Sequence, residues 1–179
     1  SDLERRQAKA VNFGIIYGQS AYGLSEGVNI SRKEAEKFIK KYYETFSGIK
    51  AFMDDIVKEG KDKGYVTTIM NRRRYIPELN SSVYMQREQG KRNAQNAPIQ
   101  GSAADIIKLA MIRLQEALDK EGMDSKMLLQ IHDELVFDVV KEEEDTLKEM
   151  IKEIMEGCIS LDVPLKVDTA SGQNLYETK

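Results

Sequence analysis

Proline, the residue that most restricts helix formation, occurs only three times in the 179 residues of this chain. Because proline lacks a backbone N–H and clashes with the preceding helical turn, the long stretches without it can form long helices. A capping box at Ser31 and Glu34 marks one helix start, and Gly64 follows another helix end. The spacing of apolar residues predicts helices at about 3–16, 31–46, 49–63, 82–121 with an interruption at Pro98, and 142–158.

Two parts of the chain instead favour strands: one is rich in β-branched and aromatic residues, and the other consists of two short apolar runs. The first, at 65–69 and 72–76, predicts a small hairpin. The second, at 126–131 and 135–140, predicts another antiparallel pair with His132, Asp133 and Glu134 at its turn, and a further strand is predicted at 164–168. These elements predict an α+β fold: a mainly helical lobe at 1–81, and at 82–179 a lobe with long helices and an antiparallel sheet.

The composition is that of a globular protein, with 41% hydrophobic and 32% charged residues. The net charge of −3 excludes a wholly basic, histone-like DNA binder. The charge is segregated, however: eight basic and three acidic residues lie between 61 and 92, whereas ten acidic and three basic residues lie between 133 and 156. A basic surface for an acidic ligand is therefore compatible with the overall balance.

Four residues near the N-terminus recur at a spacing of four: Arg5, Lys9, Phe13 and Tyr17. On a helix this spacing places two cations and two aromatic rings in one stripe. A nucleoside triphosphate needs such a combination, with positive charge for its phosphates and a flat apolar surface for its sugar and base. The pattern equally fits a solvated basic turn followed by core aromatics.

A pair of carboxylates, Asp133 and Glu134, is expected at the tip of the second hairpin. Adjacent acids at the edge of a sheet suit Mg²⁺, which takes few protein carboxylates and shares its coordination sphere with water and phosphate oxygens. An ordinary polar turn has the same composition. His132, the only histidine, fits either a phosphate contact or a cap of the turn.

A polar row is predicted on the long helix, where Arg92, Asn96 and Gln100 again recur at a spacing of four. Side-chain donors that point the same way can reach acceptors in the minor groove of DNA. The arginine run at 72–74 could contact a phosphate backbone or form a solvated face.

Together these segments resemble the C-terminal fingers and palm portion of a family A DNA polymerase, the bacterial DNA polymerase I type. The stripe, which continues into Gly18, resembles the nucleotide-binding helix of the fingers. The run from Gln130 to Glu134 resembles the palm hairpin motif, and the segment 92–105 resembles the palm helix between them. All three occur in the family's order and cover essentially the whole chain.

The resemblance implies a role for each residue of these motifs. Arg5 and Lys9 bind the triphosphate of the incoming nucleotide, and Lys9 also protonates the pyrophosphate leaving group. Phe13 packs against the deoxyribose, and Tyr17 lies near the templating base. Asp133 ligates two catalytic Mg²⁺ ions, with Glu134 as a supporting catalytic residue. The DNA-binding residues that it implies are Arg92, Asn96, Gln100, Gln130 and His132.

The family's other metal-binding aspartate lies on a strand before the nucleotide helix, and this sequence has no counterpart to it. The thumb is also missing, and the chain does not begin with Met. We therefore expect a fragment of a longer DNA polymerase that is inactive alone. Its expected partners are the rest of the palm and the thumb, primer-template DNA and a dNTP.

Two other functions fit the same residues. Single-subunit RNA polymerases share the spacing from Lys9 to Tyr17 and Gly18, and a non-catalytic DNA-binding module could retain the fold. The single cysteine, Cys158, cannot form an internal disulfide, and no apolar run is long enough to span a membrane. The bacterial cytoplasm or an organelle matrix is therefore the expected compartment.

Overall fold

The computed structural model describes the backbone of residues 2–178, and the side chains of these residues apart from those at 2–4, 6, 7 and 10. The contacts within the chain divide it into two compact units. The first unit ends at Ser102, and the second begins at Ala103. The expected boundary between the two lobes near residue 81 stays a prediction. Both units combine helices with an antiparallel pair of strands, so the predicted α+β fold class is confirmed.

The first unit begins with four helices: α1 (Asp2–Ile16), α2 (Ala21–Val28), α3 (Arg32–Thr45) and α4 (Ser47–Lys63). Helices α1, α2 and α3 enclose a core of five buried residues, which are Val11, Ile15, Leu24, Val28 and Ala35. Val11 and Ile15 are four residues apart and therefore lie on one face of α1. Burial of this face leaves the rest of the helix surface available for other contacts.

Serine hydroxyls begin two of these helices. Ser31 and Glu34 exchange hydrogen bonds between each side chain and the other's backbone N–H, so the predicted capping box is present. Ser20 caps α2, since its Oγ accepts a hydrogen bond of 3.2 Å from the N–H of Gly23. The sequence analysis does not predict α2, because eight residues are too few to show a clear helical period.

Helix α4 ends at Gly64, which has a φ of 78°, and the first predicted hairpin follows. Strand β1 (Tyr65–Thr67) pairs with β2 (Arg73–Tyr75), and Tyr65 lies opposite Tyr75. A second core lies beneath the hairpin and consists of Val66, Ile76, Leu79 and Ala94.

Helix α5 (Tyr84–Glu121) runs without interruption through Pro98, so the predicted break at this residue is wrong. A proline inside a helix costs roughly 3 kcal/mol, partly because the carbonyl four residues earlier loses its donor. That carbonyl belongs to Ala94, whose side chain is buried in the second core. Tertiary packing therefore holds the helix together where local preference would end it. Despite its length α5 is not apolar enough to cross a membrane, and neither is any other helix within the described residues.

The second unit contains the other predicted hairpin, in which β3 (Lys126–Ile131) pairs antiparallel with β4 (Glu134–Asp138). A short 3₁₀ turn at Lys141–Glu143 leads into α6 (Glu144–Glu156). The buried residues of this unit's core come from α5 and α6: Leu114, Leu118, Leu147 and Ile151.

The strand predicted at 164–168 is wrong, because these residues adopt no regular structure. Each sheet within the described chain has two strands, so no neighbouring strand pairs with this segment. The N–H of Val167 instead donates a 3.0 Å hydrogen bond to the carboxylate of Glu156. This N–H therefore has a hydrogen-bond acceptor although the segment belongs to no sheet. The side chain of Val167 packs against the core of the second unit.

Candidate nucleotide and nucleic-acid interface

The stripe predicted on α1 forms in the structure. The Nζ of Lys9 lies 5.8 Å from the centre of the Phe13 ring, and the rings of Phe13 and Tyr17 are stacked 6.0 Å apart with 26° between their planes. The side chain of Arg5 is exposed one turn before Lys9. Because Phe13 is 47% exposed, it is not a core aromatic, and the stripe presents charge and a flat apolar surface together.

The end of this stripe lies against α5. Gly18, the residue after Tyr17, has a φ of 71°, a left-handed conformation that glycine adopts at little cost. A Cβ built on Gly18 would lie 2.8 Å from Oε1 of Gln95 and 3.4 Å from Cγ of Arg92. The first unit therefore brings the end of the α1 stripe to the start of the predicted polar row, through a contact with Gln95 that was not predicted from the sequence.

The three residues of the polar row lie on one stretch of α5 within the first unit. Arg92 and Asn96 are half-buried and Gln100 is exposed. The guanidinium of Arg92 donates a 2.7 Å hydrogen bond to Oε1 of Gln89. The Oδ1 of Asn96 is buried and accepts no hydrogen bond from the described residues. A buried acceptor without a hydrogen bond carries a desolvation penalty, and a hydrogen bond from a donor offsets this penalty.

The arginine-bearing hairpin is attached to α5 directly after this row. The backbone N–H of Ile69 donates a 2.9 Å hydrogen bond to Oγ of Ser102. A Cβ on Gly101 would lie 2.5 Å from Cγ2 of Thr68, so only glycine allows this close approach. Arg73 in turn lies 4.7 Å from the centre of the Tyr65 ring, which orients its guanidinium by a cation–π contact.

The turn between β3 and β4 consists of two residues, because Ile131 pairs with Glu134. Asp133 is exposed in this turn, whereas Glu134 is the first residue of β4 rather than part of the tip as expected. His132 has a φ of 55°, and its carbonyl oxygen accepts a 2.9 Å hydrogen bond from Nε2 of Gln130. The Gln130 amide therefore supports the turn that presents Asp133.

The donor atoms at this turn suit a divalent cation, since the exposed carboxylates of Asp133 and Glu134 provide hard oxygen ligands. They form an incomplete set. Within the described part of the chain, no group of three or more His, Cys, Asp or Glu residues could hold a metal ion.

Glu143 anchors the base of the same hairpin, and the sequence analysis does not single it out from the acidic residues around it. Its carboxylate accepts hydrogen bonds from the backbone N–H groups of Asp124, at 3.0 Å, and Ser125, at 2.9 Å. The Ser125 side chain and these two N–H groups hold the pKa of the Glu143 carboxyl below its usual value. Ser125 also accepts a bond of 2.9 Å from the N–H of Val140, so both ends of the hairpin meet here.

The stripe on α1 and the polar row lie in the first unit, whereas the hairpin tip lies in the second. The structure thus joins the two predicted surfaces of the first unit through Gly18.

A family model described as DNA polymerase family A matches residues 1–177 of this chain. The chain is 57% identical over 175 residues to DNA polymerase I of Bacillus subtilis strain 168, and 53% identical over 175 residues to DNA polymerase I of Geobacillus stearothermophilus. Each match covers 98% of this chain and 20% of the relative, so the chain spans about one fifth of the length of these relatives.

A solved structure shares the fold. It is the POL domain of Pol1 from M. smegmatis in complex with DNA primer-template and dNTP, with a TM-score of 0.93 and 44% sequence identity. The match covers 97% of this chain and 31% of that chain.

Proposed function

Because this chain belongs to DNA polymerase family A, we propose that it carries the nucleotide-binding helix and part of the primer-template surface of a DNA-directed DNA polymerase. The reaction is nucleotidyl transfer, in which the 3′-hydroxyl of a primer attacks the α-phosphate of a dNTP and releases pyrophosphate. Three sequence motifs predicted this family. Membership of the family also implies the use of divalent metal ions.

The observation that carries this proposal is the continuous stripe on α1, in which Lys9, Phe13 and Tyr17 contact one another in order. Arg5 and Lys9 bind the negatively charged phosphates, and Lys9 donates a proton to the leaving pyrophosphate. Phe13 packs on the deoxyribose, and Tyr17, at the end of the helix, lies near the templating base. Support comes from the neighbouring solved structure, which is a complex with DNA primer-template and dNTP.

DNA binding follows from the surface that continues from this stripe. Gly18 places the end of α1 beside Arg92, and from there Arg92, Asn96 and Gln100 follow the minor groove of the primer-template. The arginines of the β1–β2 hairpin extend this surface towards the phosphate backbone.

At the second hairpin Asp133 binds Mg²⁺ and Glu134 supports it, and the remaining ligands come from other residues of the intact protein. The bound Mg²⁺ ions supply charge stabilisation at the reacting phosphate and lower the pKa of the primer hydroxyl. Gln130 supports the turn and, together with His132, contacts DNA near the primer end. The rest of the palm and the thumb complete the enzyme, and the bacterial relatives favour the bacterial cytoplasm as its compartment.

Single-nucleotide incorporation by the intact protein, as its gene encodes it, tests this proposal. On a primer-template with Mg²⁺, addition of the dNTP complementary to the template base is expected, with little addition of the other three. Ribonucleotides serve as the matched comparison, because equal or better ribonucleotide addition would indicate an RNA polymerase. DNA binding without any addition would instead indicate a non-catalytic module.

A further inference from the structure

We propose that Gln19 is a positioning residue that fixes the end of α1, and with it Tyr17 and Phe13, against α2. This inference rests on the proposed role of the α1 stripe in nucleotide binding. Gln19 belongs to none of the motifs that the sequence analysis singles out, and its side chain is exposed. Its surroundings nevertheless show that it fits a specific site between two helices.

The first side of this site is formed by Gly14 of α1. A Cβ built on Gly14 would lie 2.1 Å from Oε1 of Gln19 and 3.2 Å from its Cδ. The backbone N–H of Gln19 also donates a 2.8 Å hydrogen bond to the carbonyl oxygen of Gly14. The glutamine therefore turns back over the last turn of α1 and occupies the space that any other residue at position 14 would fill.

The other side of the site is formed by α2. A Cβ on Gly23 would lie 2.9 Å from Cγ and 3.1 Å from Nε2 of Gln19, and one on Gly27 would lie 3.9 Å from the same Nε2. The side chain of Gln19 thus lies between glycine surfaces of two helices. Away from this site α1 and α2 are joined by the core that contains Ile15 and Leu24.

This site lies beside the stripe on α1. Gly14 follows Phe13 in the chain and precedes Tyr17 by three residues, so it is a neighbour of Tyr17 on the helix surface. The aromatic end of the stripe is therefore held between Gln19 on one side and the contact of Gly18 with α5 on the other. Loss of the Gln19 side chain gives this end more freedom, while the cationic end at Arg5 and Lys9 is unaffected.

Steady-state single-nucleotide addition by the intact protein tests this role through Gln19→Ala. Misplaced aromatic rings weaken nucleotide binding, so we expect KM for the dNTP to rise about three- to tenfold while kcat changes less than about twofold. A purely structural loss would reduce the fraction of folded enzyme, which lowers kcat and leaves KM unchanged. The matched control is Glu26→Ala, an exposed residue on the same helix α2, which should leave both constants unchanged.

Gly14→Ala provides a second and independent test, because the added methyl group displaces the Gln19 amide without removing it. It should raise KM as Gln19→Ala does, and the double variant should show no further rise. Gln19→Met, which has a side chain of similar length, should restore KM to within about twofold of the original. Additive effects in the double variant, or a lowered kcat with unchanged KM in Gln19→Ala, would overturn the inference.

Failure of this inference differs from failure of the proposed function. If Lys9→Ala impairs incorporation but Gln19→Ala leaves KM unchanged, then Gln19 has no positioning role and the stripe still binds nucleotide. If Lys9→Ala itself has no effect, the assignment of the stripe to nucleotide binding is wrong.

Discussion

The ammonium group of Lys9 lies 5.8 Å from the centre of the Phe13 ring, one turn farther along α1. The ring of Phe13 in turn stacks on that of Tyr17. This relationship joins charge recognition and apolar recognition on a single helix face, so the effects of substitutions at Lys9 and Phe13 are expected to be coupled.

Removal of the Lys9 charge should impair nucleotide incorporation by the intact protein. We expect Lys9→Ala to lower kcat/KM for the dNTP about 100-fold, because a charge that interacts with the phosphates is lost. Lys9→Arg retains the charge and should recover part of the activity. Pre-steady-state incorporation on a fixed primer-template measures both variants, and Lys33→Ala, at an exposed position of α3, is the control. Near-normal rates in Lys9→Ala would remove this residue from the mechanism.

Asp133→Asn should separate catalysis from DNA binding. The amide keeps the shape of the side chain but loses the charge that we propose holds a divalent cation, so extension should fall at least about 100-fold. Affinity for primer-template DNA should stay within about twofold, as measured by fluorescence anisotropy. Asp138→Asn, at the other end of β4, is the control and should extend primers normally. Retained extension by Asp133→Asn would exclude it as a metal ligand.

The β1–β2 hairpin should contribute affinity without sequence preference. Each of Arg73→Ala and Arg74→Ala removes one proposed phosphate contact, so the slope of log K against log salt should become shallower by about 0.9. Titrations of the intact protein with several duplexes at increasing salt measure this slope. The control is Arg32→Ala, because the Arg32 guanidinium pairs with Glu36 on α3. A loss of affinity confined to one DNA sequence would contradict a backbone contact.

The Glu143 carboxylate should make stability depend on pH in the acidic range. Hydrogen bonds from Ser125 and Asp124 lower the pKa of the Glu143 carboxyl. Its contribution to the free energy of unfolding is therefore complete above the ordinary pKa of 4.5 and is lost as the pH falls below that value. Glu143→Gln should lower the free energy of unfolding near neutral pH and flatten the decline of this free energy as the pH falls below 4.5. Urea denaturation across this range measures both effects. Glu142→Gln, its exposed neighbour, is the control, and an unchanged pH profile in Glu143→Gln would contradict the anchor.

Much of the architecture was predictable because local signals and packing agree. The capping box at Ser31 and the glycine at position 64 indicated the bounds of two helices to within a few residues, and short β-branched, aromatic or apolar runs predicted both hairpins. Prediction failed where tertiary contacts override local preference. Pro98 stays within a helix in which both it and Ala94 are buried, and residues 164–168 form no strand although one was predicted there.

The candidate site was predictable in its residues but not in its contacts. The spacing of four placed Lys9, Phe13 and Tyr17 in line, since a helix fixes this geometry. The contacts of Gly18 with Gln95 and of Glu143 with the start of β3 join residues far apart in the chain. No periodicity in one sequence encodes such pairs, because they depend on how separate elements pack.

The left-handed backbone at His132 (φ 55°) restricts which amino acids a mutational library can recover at this position. Glycine, asparagine and aspartate tolerate this conformation, whereas a β-branched residue at φ above zero is strongly strained. Directed evolution of the hairpin tip will therefore find few solutions at residue 132. Gln130 and Glu134, which have the extended backbone of β3 and β4, are free of this backbone restriction and are limited instead by the roles of their side chains.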